Sequence, residues 1–186
     1  MKRTIDILTA LFFLILLSLP MLVVFLVIRL ESSGSALFWS ERIGKNNISF
    51  MMPKFRTMHI GTVAVATHLL DNPDSHLTRI GNFLRRTSID ELPQLFSILR
   101  GHMTLVGPRP ALFNQFDLIK LRTNSKVHTL VPGVTGWAQV NGRDNIEVNE
   151  KVNLDIEYLK NKSIRLDIHI IFLTLLKVIR KEGISH

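Results

Sequence analysis

The stretch "ILTALFFLILLSLPMLVVFLVI", residues 7–28, carries no charged side chain. A helix of that length reaches across a hydrocarbon core, so the segment predicts membrane association. Pro20 sits near its middle, with Ser18 two residues earlier. Proline removes one backbone hydrogen bond and crowds the carbonyl four residues before it, here Leu16, so a kink follows. Lys2 and Arg3 flank one end and Arg29 the other, so the positive-inside rule favours neither orientation. Two geometries answer to this segment alone. One is a kinked single-pass helix whose freed groups are satisfied by a serine hydroxyl or by neighbours. The other enters, bends at Ser18 to Pro20 and returns to the same leaflet, which satisfies both charged flanks at once. The run is longer than a signal-peptide core and lacks a small-residue cleavage site after it.

Working outward, 186 residues suit one domain with a core plus one appendage. The expected division is a membrane segment over 1–30 and a catalytic or binding domain over 31–186. The chain has no cysteine, which excludes disulfides, thiolate metal sites and thiol chemistry. Lys and Arg outnumber Asp and Glu by 23 to 15, which predicts attraction to polyanions. Arginines are not gathered in a block and aromatics are sparse, so anionic inner-leaflet lipid and phosphorylated small molecules fit better than nucleic acid.

The expected fold class is α+β, mostly helical. A strand is predicted around Ala36 to Trp39, and "NISFMMPKFRTM" (47–58) reads as a short edge strand around Pro53. Residues 59–78 read as a loop with a "DNPDS" turn. "RIGNFLRRTS" (79–88) and the segment after Asp90 read as short helices, the second ending near Gly101. "GPRPALFNQF" and "VPGVTGWAQVNGRDN" read as loops. Val152, Ile156 and Leu159 share one helical face. The last segment, "IRLDIHIIFLTLLKVIRK", is too short to span comfortably and reads as a buried or interfacial amphipathic helix. Trp39 and Trp137 are expected to pack in the core rather than at a membrane interface.

"TSIDELPQLFSILRG" (87–101) places Asp90 and Glu91 side by side ahead of Pro93. Capping accounts for the pair: Pro93 in a first turn puts Asp90 at the N-cap and Glu91 at N1, at the positive end of the dipole. Chemistry also accounts for it. Arg85 and Arg86 lie one turn before, and Arg109 follows between two prolines. A carboxylate pair among guanidinium groups suits Mg²⁺ and phosphate oxygens, as phosphoryl transfer requires. An aspartate also attacks phosphorus directly, splitting one displacement into two.

Taken together, "KFRTM" (54–58), "LRRTSIDELPQLFSILRG" (84–101), "GPRP" (107–110) and "PGVTGWAQVNGR" (132–143) resemble the monotopic phosphoglycosyl transferases, or bacterial sugar transferases. Those enzymes move a phospho-sugar from a UDP-sugar to undecaprenyl phosphate and release UMP. The resemblance covers essentially the whole chain and favours the re-entrant geometry, implying a re-entrant membrane helix over 1–30 and a cytoplasmic catalytic domain over 31–186. It implies a bacterial inner-membrane, monotopic protein with its catalytic domain on the cytoplasmic face. It further implies that Asp90 is the nucleophile, and that Asp90 and Glu91 form the catalytic dyad with Mg²⁺ bound beside it. The helix break here reads Ser18-Leu19-Pro20, where relatives carry Ser-Pro.

Arg85, Arg109 and Arg143 are the candidate phosphate contacts, joined by Lys54 and Arg56. Gln139, Asn141 and Gly142 are candidates for nucleotide or sugar contact, against a plain tight turn at "NG". The histidines show no metal-ligand spacing. The rival reading from another class is a non-enzymatic, membrane-anchored basic protein that binds anionic lipid or a polyanion, with the acids as caps.

Overall fold

The structure is a computed structural model that describes residues 1–63, 72–142 and 146–180. It is mixed α and β and mostly helical. The apolar segment forms two helices, α1 (Lys2–Leu16) and α2 (Ser18–Glu31), with a bend of 61° between them. Among the described residues no single helix is long and apolar enough to cross a membrane; this bent pair qualifies only as a unit. The break falls at Leu17, and Pro20 lies in the first turn of α2, where its missing N–H costs little. Ser18 Oγ donates to the Ile15 carbonyl at 2.8 Å, so one carbonyl exposed by the break regains a partner.

Both arms return to the same body. Ala10 of α1 packs with Phe50, Met52, Leu95, Ile98 and Met103. Ile28 of α2 packs with Ala36, Phe55 and Leu84. Between these anchors the arms present Leu8, Phe12, Ile15, Leu16 and Leu19 to the outside. The first turn of α1 is tied by polar contacts. Asp6 is buried and accepts from Thr104 Oγ1 at 2.6 Å and Leu105 N at 3.2 Å. Lys2 donates to the Val106 carbonyl at 2.9 Å and pairs with Asp167.

Strands β1 (Leu37–Ile43) and β2 (Ser49–Phe55) form an antiparallel hairpin. In its three-stranded sheet β1 lies between β2 and the short strand Ala111–Leu112, so β2 lies at the edge. Pro53 is tolerated there because an edge residue need not donate to a neighbour. Helix α3 (Arg79–Arg86) is capped by Thr78, whose hydroxyl accepts from Gly81 N. Helix α4 (Gln94–Arg100) stops at Gly101, whose φ of 87° is the left-handed conformation glycine takes at little cost. The Arg3 guanidinium covers the end of α4, donating to the carbonyls of Ile98 at 2.6 Å and Leu99 at 3.1 Å.

The two segments expected to be loops contain regular structure: β3 (Thr104–Val106), β4 (Ala111–Leu112), β5 (Gly133–Thr135) and α6 (Trp137–Asn141) lie in or beside them. β3 and β5 pair in parallel. These pieces are too short to leave a periodic signal in the sequence. The backbones cross so closely at Gly107 and Gly133 that a Cβ on Gly133 would lie 2.1 Å from Gly107 N. Helices α5 (Phe116–Asn124), α7 (Val148–Asn161) and α8 (Ile164–Arg180) complete the body. On α8, Ile168, Phe172 and Leu175 are exposed at i, i+4 and i+7. Trp39 is also exposed rather than packed in the core. Trp137 is partly buried beside the His169 ring.

Candidate active site

Asp90 and Glu91 do not open α4. They occupy a separate single 3-10 turn, Ile89–Glu91, ahead of it. Residue Pro93 stands at the N-cap of α4, and no side chain caps either the turn or the helix. The capping account of the pair is therefore corrected. Ser88, just before the turn, adopts φ 55° and ψ 18°, a left-handed conformation that costs a non-glycine residue about 1 kcal/mol or more. It ends α3 abruptly and starts the acidic turn without an intervening loop.

The turn lies against β2 and the loop that holds Arg109. Lys54 Nζ is 2.6 Å from Glu91 Oε1, and Arg109 Nη2 donates to the same oxygen at 2.9 Å. Glu91 thus holds two cations. Asp90 is buried and less closely paired, with Lys54 Nζ 3.9 Å from Oδ2. Arg85 anchors its Nε on Thr57 Oγ1 at 3.0 Å.

These surroundings push the two acids apart. Burial raises the Asp90 carboxyl to about 6; Lys54, Arg85 and Arg109 oppose that rise, while the Glu91 charge adds to it. Burial acts on Glu91 in the same direction, but Arg109 and Lys54 together outweigh it and hold Glu91 well below the usual carboxylate range. Burial lowers the Arg85 guanidinium, opposed by Asp90 and Glu91. Adjacent acids with different affinities for a proton can take different roles.

The structure therefore gathers Asp90, Glu91, Lys54, Arg85 and Arg109. Arg56 points elsewhere: its guanidinium is buried and donates to the Ser32 carbonyl at 3.0 Å, to Ser32 Oγ at 2.8 Å and to the Ser33 carbonyl, fastening the end of α2. Gln139 Nε2 donates to the Val134 carbonyl at 2.9 Å. Asn141 Nδ2 donates to the Trp137 carbonyl at 2.8 Å, within its own helix. Gly142 ends α6. Arg143 lies outside the described residues.

Sequence reading missed Arg122 and Asp155, which form a buried pair behind Arg109. A signal for them was present. Asp155 falls three residues after Val152, on the apolar face of α7, and an acid on such a face requires a buried partner.

Over residues 1–181 the chain matches the bacterial sugar transferases. The chain belongs to that family. An uncharacterised sugar transferase of Bacillus subtilis (strain 168) is 39% identical over all of this chain and 90% of its own length. The UDP-glucose:undecaprenyl-phosphate glucose-1-phosphate transferase of Escherichia coli (strain K12) is 38% identical, over 95% of this chain and 40% of its own length. A UDP-N-acetylgalactosamine-undecaprenyl-phosphate N-acetylgalactosaminephosphotransferase of Aeromonas hydrophila is 37% identical, over 98% of this chain and 44% of its own length. The family member described here thus spans less than half of these last two relatives. The acidic turn and its cations all lie within the region matched to the family.

Proposed function

We propose that this protein transfers a phospho-sugar from a UDP-sugar to undecaprenyl phosphate and releases UMP, through a covalent intermediate on Asp90. The observation that carries this reading is the inequality between the acids. Glu91 Oε1 is paired with both Lys54 and Arg109, while the neighbouring Asp90 is buried with Lys54 only at 3.9 Å. A carboxylate that is ionised but poorly solvated and loosely paired is a better nucleophile than one locked into ion pairs. With its carboxyl at about 6, Asp90 is roughly 90% ionised at pH 7.

In the first step an Asp90 carboxylate oxygen attacks the β-phosphorus, which bears the sugar. The bond from that phosphorus to the oxygen bridging the two phosphates breaks, and UMP departs with that oxygen. In the second step a phosphate oxygen of the polyprenyl phosphate attacks the same phosphorus. The acyl-phosphate bond breaks, Asp90 is regenerated, and the product is a polyprenyl diphosphate sugar. Arg85 and Arg109 would hold phosphate oxygens, and Lys54 favours the ionised form of Asp90.

Among the described residues no group of three or more His, Asp or Glu side chains forms a metal site. Two carboxylates nevertheless match what Mg²⁺ takes from a protein when substrate phosphates and water supply the rest. Asp90 and Glu91 would hold it, and it would offset charge on the diphosphate.

The bent helix pair would sit in the cytoplasmic leaflet of the bacterial inner membrane as a re-entrant wedge. Each arm, 15 and 14 residues long, extends about 22 Å, short of the roughly 30 Å hydrocarbon core. The exposed apolar stripe of α8 would lie on the same surface. This arrangement delivers a lipid phosphate to a site facing the cytoplasm.

Purified protein in nanodiscs with Mg²⁺ and a panel of UDP-sugars, without lipid acceptor, tests the reading. A stoichiometric burst of UMP and a phospho-sugar adduct mapped to Asp90 are expected. Turnover only when polyprenyl phosphate is added, with no adduct, would replace the covalent route by direct displacement. Silence in both conditions would leave the membrane-anchored basic protein as the better account.

A further inference from the structure

The Arg109 loop cannot bond to itself at two of its positions, because Pro108 and Pro110 have no N–H. Its three successive carbonyls are instead held from three different elements. Pro108 accepts from Gly133 N of β5 at 2.9 Å. Arg109 accepts from Arg122 Nη1 of α5 at 2.7 Å. Pro110 accepts from Arg42 Nη1 of β1 at 3.3 Å.

The middle contact differs from its neighbours in what lies behind it. Arg122 is 7% exposed and Asp155 1% exposed. Arg122 uses Nε and Nη2 on Asp155 Oδ2, at 2.9 and 2.6 Å, which leaves Nη1 for the Arg109 carbonyl. A buried ion pair costs several kcal/mol of desolvation per ion, and apolar residues often replace one without loss of stability. Here the planar guanidinium does what an apolar residue or a lysine cannot: it addresses a carboxylate and a carbonyl in fixed directions.

We propose that Arg122, oriented by Asp155, is a positioning residue: it fixes the Arg109 backbone so that the Arg109 guanidinium meets Glu91 beside Asp90. The relay runs from α7 through α5 and the proline-flanked loop to the acidic turn, in the order Asp155, Arg122, Arg109, Glu91. It rests on the transfer reaction proposed above for its effect on rate, and on geometry alone for its effect on Glu91.

The test is a double-mutant cycle in the full-length protein, read as kcat/KM for UMP release. Arg122→Lys keeps the charge and loses the fork. Displacing a positioned group by about an ångström costs roughly 10²-fold, so a fall of about 10- to 100-fold is expected. In an Arg109→Ala background the same change should cost less than about 2-fold, because the group it positions is gone. Equal losses in both backgrounds would assign Arg122 to general support and overturn the proposal. Should Arg122→Lys fail to fold, the pair Arg122→Gln with Asp155→Asn removes both buried charges together and must show the same non-additivity.

A second readout is independent of turnover. In protein carrying ¹⁵N-labelled arginine, Arg122→Lys should move the Arg109 guanidinium resonances toward those of a solvated arginine, because the contact with Glu91 Oε1 is lost; unmoved resonances overturn the relay. Wild-type protein that releases no UMP from any UDP-sugar overturns the transfer reading alone, and the Arg109 resonances then decide the relay.

Discussion

Lys54→Met removes the cation 3.9 Å from Asp90 Oδ2 while keeping most of the side-chain volume. At an effective dielectric of about 20, a charge at that distance is worth roughly 4 kcal/mol, or about 3 pKa units as a ceiling. Neighbouring opposite charges commonly move a carboxyl by about 1 to 3 units. Asp90 starts at about 6, so the variant should titrate between about 7 and 9. The ionised fraction at pH 7 then falls from roughly 90% to between about 50% and 1%, and kcat/KM with it, by about 2- to 90-fold. The loss should shrink as pH rises, because kcat/KM reports ionisation in the free enzyme. The assay is UMP release from pH 5.5 to 9.5, with wild type and variant in the same nanodiscs. An acid limb that stays near 6 in the variant, or a loss of equal size at every pH, would refute the claim that Lys54 acts by favouring the Asp90 carboxylate.

Other consequences follow from the same geometry. Asp90→Asn should abolish turnover and raise thermal stability at pH 8 but not at pH 4: the folded carboxyl at about 6 lies above its unfolded value, so the wild-type fold loses up to about 3 kcal/mol as pH climbs through that window. Equal melting temperatures at pH 8 would contradict it. Glu91→Gln takes away the negative charge shared by Lys54 and Arg109 and should weaken Mg²⁺ dependence and turnover together; unchanged activation by Mg²⁺ would exclude Glu91 from holding the ion. The cysteine-free chain permits clean single-cysteine labelling at the exposed positions Thr4 and Ser35: both should react with an impermeant maleimide from the cytoplasmic face only, and Thr4→Cys reacting from the opposite face would replace the re-entrant wedge by a span. Asp6→Ala leaves the buried Thr104 hydroxyl and the Leu105 N–H without their acceptor, and should destabilise the whole domain by about 2 kcal/mol or more; an unchanged denaturant midpoint would show α1 to be a detachable anchor.

Much of this arrangement was legible in the sequence where a feature repeats over many residues or breaks a rule. The apolar run and Pro20 located the bent pair, Pro53 marked β2 as an edge, and Gly101 marked the end of α4. What stayed hidden was short or long-range. β3 and β5 have three residues each, and their pairing depends on Gly107 and Gly133 meeting from distant parts of the chain. The phosphate candidates divide along the same line. Lys54, Arg85 and Arg109 gather at the acids, whereas Arg56, two residues beyond Lys54, holds Ser32 and Ser33. Lys54 is the penultimate residue of β2 and Arg56 lies just past its end. Composition alone does not tell two basic residues so placed apart.

The break between Asp90 and α4 explains how adjacent acids come to differ. In a 3-10 turn successive side chains are rotated by about 120°, more than in an α-helix, so two neighbours need not share partners. Glu91 reaches the cations supplied by β2 and the proline-flanked loop, and they hold it ionised. Asp90 takes the buried direction, where the same cations reach it at longer range and offset only part of its desolvation. Had the pair formed the N-cap and first residue of α4, Asp90 would have accepted hydrogen bonds from that helix's free N–H groups, and a carboxylate so bonded is both more acidic and less nucleophilic. The left-handed Ser88 and the Pro93 at the N-cap of α4 keep that from happening. They isolate a single turn of chain in which Glu91 is held in two ion pairs and Asp90 stays buried and more loosely paired.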